Sequence, residues 1–346
     1  MTQPQHILVI RLSAMGDVAM TVPVLMQVLE TYPQLQITVV TKPFFVDIFK
    51  SIDRVHVVKA EVKGKHKGIS GLWLLAKQLH KLHIDTVADL HNVLRSRLLC
   101  GFLKIMGHEY YRIDKGRREK KALTRADNKI FKPLKTTHQR YADVFTKLNL
   151  PVELSNHTPR RLLPMASDVE AVLKLKVSKQ WIGIAPFAAH ASKQYPLELM
   201  EKVIQNLSKE HNVHILLFGG GKRESKRLEA LAQGFENCEN VAGKFNFSEE
   251  LQLLSNLNIM ISMDSGNGHL AAMFGVEVIT LWGATHPYAG FAPFGQTEDM
   301  QLLPDLEKYP LLPTSIYGNK NLKDYKNVMH DISPEEVCQK VRNTLN

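Results

Sequence analysis

Short apolar runs alternate with amphipathic stretches along almost the whole of this 346-residue chain, and few architectures accept such a pattern. His6–Arg11, Gln36–Thr41, Val55–Lys59 and Asp85–Leu90 read as strands in the first half. Trp181–Pro186, Val213–Gly219, Ile259–Met263 and Val276–Gly283 read as strands in the second. Helical periodicity separates them, for example at Leu72–Leu82, Pro196–His211, Lys222–Gly234 and Ser248–Asn256. A strand followed by a helix and another strand closes most readily as a right-handed parallel crossover, so the pattern predicts doubly wound α/β domains. The chain is too long for one small core, and two domains are expected. Pro151–Pro164, with three prolines and several polar residues, breaks the alternation and reads as the linker. The predicted domains are residues 1–165 and 166–346, each Rossmann-like, facing across a cleft. Ser333 and Pro334 suit the N-cap and first position of a terminal helix over 334–345.

Composition restricts the class further. An apolar fraction of 44% with 23% charged residues is that of a soluble globular protein. No run of 18 apolar residues occurs, so no transmembrane helix is expected, and the first ten residues lack the basic and apolar regions of a secretory signal. Cys100, Cys238 and Cys338 lie far apart without a C-x-x-C pair, which favours reduced thiols over a disulfide or zinc framework. The net charge of +10 is uneven. Residues 1–165 hold 27 Lys+Arg against 13 Asp+Glu, a net of +14, and the remainder holds 17 against 21, a net of −4. The first half is therefore expected to face an acidic partner: nucleic acid, an anionic membrane surface or a phosphorylated glycolipid.

Ligands of open α/β sheets bind outside the carboxyl ends of the strands, so the loops after strands are where chemistry is sought. After the first strand, Ser13 and Gly16 permit a tight turn and Asp17 falls in the first helical turn. A carboxylate there is favoured by the helix dipole and is available as a general base, although a plain helix-start acid explains it equally. After Trp181–Ala185, Ser192 and Lys193 occupy a small-residue loop, where a lysine either neutralises a diphosphate or is simply solvated. Phe218–Glu224 contains three glycines without matching a dinucleotide or P-loop fingerprint, and Glu224 is either a ribose acceptor or a helix-start acid. Asp264, Ser265, Gly266, Asn267, Gly268 and His269 join a buried strand to a short helix, an arrangement that presents free N–H groups to a phosphate and also suits an ordinary strand–helix turn. Arg112–Lys135 carries ten Lys/Arg against three acids, including Arg117, Arg118, Lys120 and Lys121, and reads as an anion-facing or solvated loop. Its aromatics are sparse, Phe131 alone, which argues against a stacking platform for single-stranded nucleic acid.

In combination these loops resemble glycosyltransferase family 9, the lipopolysaccharide heptosyltransferases. The resemblance rests on Arg11, Ser13, Gly16, Asp17 and Pro23; on Lys193, Tyr195 and Pro196; and on Asp264, Ser265, Gly266, His269, Leu270, Ala271 and Ala272 with Gly283, Thr285 and Pro287. It implies a GT-B fold with acceptor on the N-terminal domain and nucleotide-sugar on the C-terminal one, the last helix packing back on the first domain. It further implies an inverting, metal-independent transfer with no cofactor, from ADP-heptose to an anionic lipopolysaccharide core, by a cytoplasmic protein peripheral at the inner membrane. Asp17 would be the general base. Lys193, Ser192, Glu224 and Asp264–His269 would hold the donor, and Ser13, Gly16, Arg117, Arg118, Lys120 and Lys121 the acceptor. Asn267-Gly268 departs from bulkier pairs in relatives, as does the longer Trp282–Phe291 turn, which leaves the donor sugar open. A GT-B enzyme using another nucleotide-sugar or acceptor, a catalytically silent nucleotide-sugar binder, and a basic nucleic-acid-binding protein are the alternatives; the favoured reading has no nucleic-acid partner.

Overall fold

The computed structural model describes residues 3–155, 158–167, 169, 173, 180–320 and 322–345. The chain divides into two compact units, residues 1–115 with 137–155, and residues 116–136 with 156–346. In the first unit β1 (His6–Ile10), β2 (Gln36–Thr41), β3 (Val55–Lys59), β4 (Thr86–Asp89) and β5 (Glu109–Arg112) form one sheet in the order β3-β2-β1-β4-β5. Every pairing in it is parallel. Its helices are α1 (Met15–Ala19), α2 (Thr21–Thr31), α3 (Gly68–His80), α4 (Leu94–Ile105) and α6 (Thr137–Lys147). Strand order reverses between β1 and β4, and the loops after these two strands therefore diverge to opposite sides of the sheet.

The second unit repeats the plan. β6 (Gln180–Ala185), β7 (Val213–Leu217), β8 (Cys238–Asn240), β9 (Ile259–Met263), β10 (Glu277–Leu281) and β11 (Gln301–Leu302) assemble as β11-β10-β9-β6-β7-β8, again with every pairing parallel. Its reversal lies between β6 and β9. The crossovers contain α7 (Leu197–Leu207), α8 (Gly221–Ala232), α9 (Phe247–Asn256) and α10 (Gly266–Ala272), and the chain ends in α11 (Pro334–Leu345). Helix α7 shows why these segments fold as they do: Met200, Val203, Ile204 and Leu207, spaced i, i+3, i+4 and i+7, are all buried against the sheet. Fully buried apolar runs such as Ile259–Met263 have both faces covered, which is the signature of a parallel strand.

Three expectations change. The division falls near residue 155 rather than 165, inside the proline-rich stretch. The basic segment 116–136, including α5 (Arg117–Leu123), belongs to the second unit: Leu123 and Leu134 pack with Ala289, Tyr288, Phe291 and Ile316. The charge asymmetry dissolves as a result. The first unit holds 17 Lys+Arg against 11 Asp+Glu, net +6, and the second 27 against 23, net +4. Finally, α11 lies against α7 of its own unit through Val337, Cys338 and Val341, with the Cys338 thiol directed at the Val203 carbonyl. All three cysteines are buried free thiols, and burial raises Cys238 to about 12 and Cys338 to about 11, which keeps them protonated and unreactive.

Candidate functional site

In the first unit the candidate side chains gather at the carboxyl ends of β1 and β4. Arg11 leaves β1 almost fully buried, and its guanidinium donates to the Leu90 carbonyl at 2.6 Å while pairing with Asp17 Oδ2 at 2.7 Å. Asp17 Oδ2 also accepts from the Ala14 backbone N–H at 3.2 Å, so this carboxylate does cap its own helix. Both contacts fall on one oxygen. Oδ1 accepts no hydrogen bond from the described residues, and the side chain is 31% exposed. One oxygen is thus clamped and the other is presented to solvent, the geometry a general base requires. The buried Tyr141 hydroxyl donates to the Asp17 carbonyl at 3.2 Å and its ring lies under the Arg11 guanidinium. Ser13 and Gly16 are half-buried in the same turn.

His91 joins this cluster from the loop after β4. Burial, with the nearby positive charges of Arg11 and Lys115, drives its imidazole down to about 3, so it is neutral at all working pH values. Its Nδ1 is buried without a hydrogen-bond partner. Beneath it Asp89, wholly buried, accepts from the backbone N–H groups of His91 and Asn92 and from the Ser96 hydroxyl, and so fixes the loop. Sequence reading named Arg11 only as part of a motif and missed His91 and Tyr141. The available signal for His91 was its position immediately after a strand.

In the second unit the corresponding place, the β6/β9 reversal, brings Lys193 and Asp264 together. Their charged atoms lie 2.9 Å apart, with side chains 12% and 9% exposed. Four loops build this spot. The Ser192 carbonyl accepts from Ala284 N–H after β10, and the Ser192 hydroxyl donates to the Gly318 carbonyl. Gly283 is required beneath it, because a Cβ there would stand 2.3 Å from the Ser192 carbonyl oxygen. Gly318, at φ +78°, lies against the aliphatic stem of Lys193, where a Cβ would be 2.4 Å from Cδ. The lysine is therefore gripped along its length, and only its ammonium is left to act.

The Asp264–His269 turn behaves in part as expected. Ser265 caps α10 by position, yet its hydroxyl is buried with no hydrogen-bond partner, as is that of Thr285 in the next loop. Gly266 and Asn267 are half-buried at the helix start, and His269 is buried. Gly268 has a different reason to be small. Its side faces the sheet, where a Cβ would meet the Ser262 hydroxyl at 2.7 Å, so close helix–strand packing accounts for it without a ligand. Glu224 spends one carboxylate oxygen on the Gly220 N–H at 2.7 Å, closing the glycine loop, and keeps Oε1 for any further acceptor role.

The basic segment divides. Lys120 is buried with its ammonium 3.9 Å from the centre of the Phe291 ring, and this commits it to the second unit's interior rather than to an acceptor. Arg117, Arg118 and Lys121 are exposed, but on the second unit rather than the first, where acceptor contacts were expected. Lys129 donates to the carbonyls of Leu311, Leu312 and Pro313 at 2.6, 2.7 and 3.4 Å, and burial pulls it down to about 8. Phe131 stacks edge-on to His286, whose own imidazole burial and Lys129 lower to about 4. Among the described residues no group of three or more His, Cys, Asp or Glu has the geometry of a metal site, and no helix is long and apolar enough to cross a membrane.

Known proteins share this plan. Residues 72–313 match the model of "Glycosyltransferase family 9 (heptosyltransferase)". The chain is 24% identical over 302 residues to the lipopolysaccharide core heptosyltransferase OpsX of Haemophilus influenzae, covering 86% of this chain and 84% of that one. It is 25% identical over 289 residues to lipopolysaccharide heptosyltransferase 3 of Escherichia coli K12, covering 78% and 80%. Among solved structures, a glycosyl transferase family 9 protein from Veillonella parvula superposes with a TM-score of 0.74 at 19% identity over 99% of this chain and 97% of that one. The E. coli heptosyltransferase WaaC with ADP gives 0.68 at 18% identity over 98% and 99%. The fold is GT-B.

Proposed function

Because the chain belongs to glycosyltransferase family 9, we propose that this glycosyltransferase moves heptose from ADP-heptose to the core of lipopolysaccharide, with inversion and without a divalent cation. The observation that carries the reading is the Lys193–Asp264 pair beside the unpartnered Ser265 and Thr285 hydroxyls, at the strand-order reversal of the second sheet. A desolvated ammonium with spare donors suits a diphosphate. Curated relatives named for lipopolysaccharide heptosyl transfer, and a solved neighbour holding ADP-2-deoxy-2-fluoro heptose, support the choice of donor and acceptor.

An acceptor hydroxyl attacks the anomeric carbon, Asp17 Oδ1 takes its proton, and the bond to the diphosphate oxygen breaks on the opposite face through an oxocarbenium-like transition state. Arg11 and the Ala14 N–H hold Asp17 by its other oxygen. Charge growing on the departing ADP is met by Lys193, the Ser265 hydroxyl and the backbone N–H groups of Gly266 and Asn267, donors worth about 2.7–4 kcal/mol each on removal. Ser13 and Gly16 line the acceptor side, and exposed Arg117, Arg118 and Lys121 are available to core phosphates or carboxylates. Such an acceptor is embedded in an anionic leaflet, so the enzyme would work peripherally at the inner membrane.

Transfer assays with ADP-heptose and a delipidated core acceptor, run with and without EDTA, test this. Product of inverted anomeric configuration at an unchanged rate in EDTA is expected. Retained configuration would remove the single-displacement mechanism, and loss of turnover in EDTA would remove metal independence.

A further inference from the structure

Helices α3 and α4 lie side by side on one face of the first sheet, and their outer surfaces are apolar where helices of this kind are usually polar. Ile69 and Trp73 on α3 are four residues apart and share a stripe. On α4, Leu94, Leu98, Phe102 and Ile105 do the same. Ile69 is 68% exposed, Leu94 76% and Ile105 75%, and Leu74 is also exposed. The half-buried Trp73 and Phe102 rings meet edge to face at 5.2 Å, which joins the two stripes into one surface.

The charge on and around this surface is mostly positive. Neither helix contains an Asp or Glu. Lys77 lies over the Trp73 ring, Arg95, Arg97 and Lys104 stand on α4, and Lys63, Lys65, Lys67 and Lys81 flank α3. Two of the neighbouring acids are engaged: Glu61 pairs with Lys65, and Asp85 accepts from the backbone N–H groups of Gln5 and His6, while Glu109 is exposed beside Lys104.

We propose that this α3/α4 face is where the enzyme rests on an anionic lipid bilayer, with Ile69, Trp73, Leu94 and Ile105 entering the headgroup region and the surrounding lysines meeting lipid phosphates. The reading deepens the peripheral association proposed above. Charge decides between a bilayer and a protein partner: six of the eight cations are lysine, the residue depleted from protein interfaces, whereas a basic rim around exposed apolar and indole side chains is the pattern of an interfacial helix. Lysine stems can lie along the apolar stripe while their ammonium groups remain with the phosphates.

The test uses the full chain and vesicles of phosphatidylethanolamine with phosphatidylglycerol, against phosphatidylcholine alone. Trp181 and Trp282 are buried in the second unit, so Trp73 alone can approach acyl chains. Brominated acyl chains in the anionic vesicles are expected to quench part of the tryptophan emission, an effect lost in Trp73→Phe and at high salt. In co-sedimentation, Lys77→Gln with Lys104→Gln should weaken vesicle partition about 25-fold, from about fivefold per cation. Ile69→Glu with Ile105→Glu should abolish it. Turnover on a delipidated acceptor should stay unchanged in these variants, which separates failure of the surface from failure of the proposed reaction. Unquenched Trp73, vesicle binding that survives both double variants, or a concentration-dependent dimer that Ile69→Glu with Ile105→Glu dissociates would each overturn the proposal, the last in favour of a second copy of the chain.

Discussion

Replacing Lys193 by methionine separates what this residue does for stability from what it does for the donor. Its ammonium lies 2.9 Å from a carboxylate that is only 9% exposed. At an effective dielectric near 20 the gross attraction is about 6 kcal/mol, most of it offset by desolvation of both ions. Removing one partner leaves Asp264 buried and uncompensated, which costs about 3–5 kcal/mol. Lys193→Met should therefore destabilise the second unit by that amount. Adding Asp264→Asn should return most of it, since the stranded charge is gone. Donor affinity should not return. A hydrogen bond to a charged group contributes about 1.5–3 kcal/mol, so ADP should bind the double variant about 10- to 150-fold more weakly than wild type. Denaturant melts give the first quantity and isothermal calorimetry with ADP the second. A double variant that regains stability and binds ADP within twofold of wild type would show that Lys193 is a structural ion pair alone.

Gly283→Ala should displace the Ser192–Lys193 loop, because the new methyl meets a backbone oxygen at 2.3 Å. A loss of about 1–3 kcal/mol with a parallel loss of ADP affinity is expected from melts and calorimetry. His91 gives the first unit an acid limit. It protonates near its ordinary value of 6.5 when unfolded but only near 3 when folded. The unfolded chain therefore binds the extra proton as pH falls below 6.5, and stability drops by about 1.4 kcal/mol per pH unit. His91→Gln should flatten that part of the stability–pH curve, and an unchanged slope would place the acid sensitivity elsewhere. Lys129→Met removes a donor shared by three carbonyls. Amides in segment 116–136 should then exchange faster with solvent while the β6–β9 core is unaffected.

The parts of this fold that were legible from sequence are those whose burial leaves a mark on both faces. Ile37–Thr41 and Ile259–Met263 are buried throughout and mostly apolar because both sides of a central parallel strand are covered. The edge strands β5, β8 and β11 escaped notice. Glu109–Arg112 is half-polar, Cys238–Asn240 has three residues and Gln301–Leu302 two, too few for any periodicity. In helix α4, Arg95, Arg97 and the exposed apolar stripe blur the polar face by which a sequence shows a helix. The most consequential misreading was the segment 116–136. Its charge suggested a solvated loop or an acceptor contact in the first half, but Leu123, Leu134 and the Lys120–Phe291 contact, invisible without the Trp282–Phe291 loop beside them, draw it to the second unit.

For the candidate site, loop position after a strand places Asp17, Lys193 and Asp264 at the carboxyl ends of the sheets, since a parallel sheet sends those loops to one end. The partners could not be read the same way. Arg11 reaches Leu90, and Tyr141 reaches Asp17, across 79 and 124 residues of chain. Gly268 shows the reverse error: a residue assigned to a ligand because it lies in a glycine turn is small because Ser262 lies behind it.

The account stands most directly on the rate of heptose transfer by Asp17→Asn, measured in a single turnover with ADP-heptose prebound. Asparagine keeps the size and can still accept from Ala14 N–H, so the turn should survive. The prediction is a transfer rate lower by about 10²–10⁴ with donor affinity unchanged. A variant that transfers heptose within tenfold of the wild-type rate would contradict the assignment of Asp17 as the base.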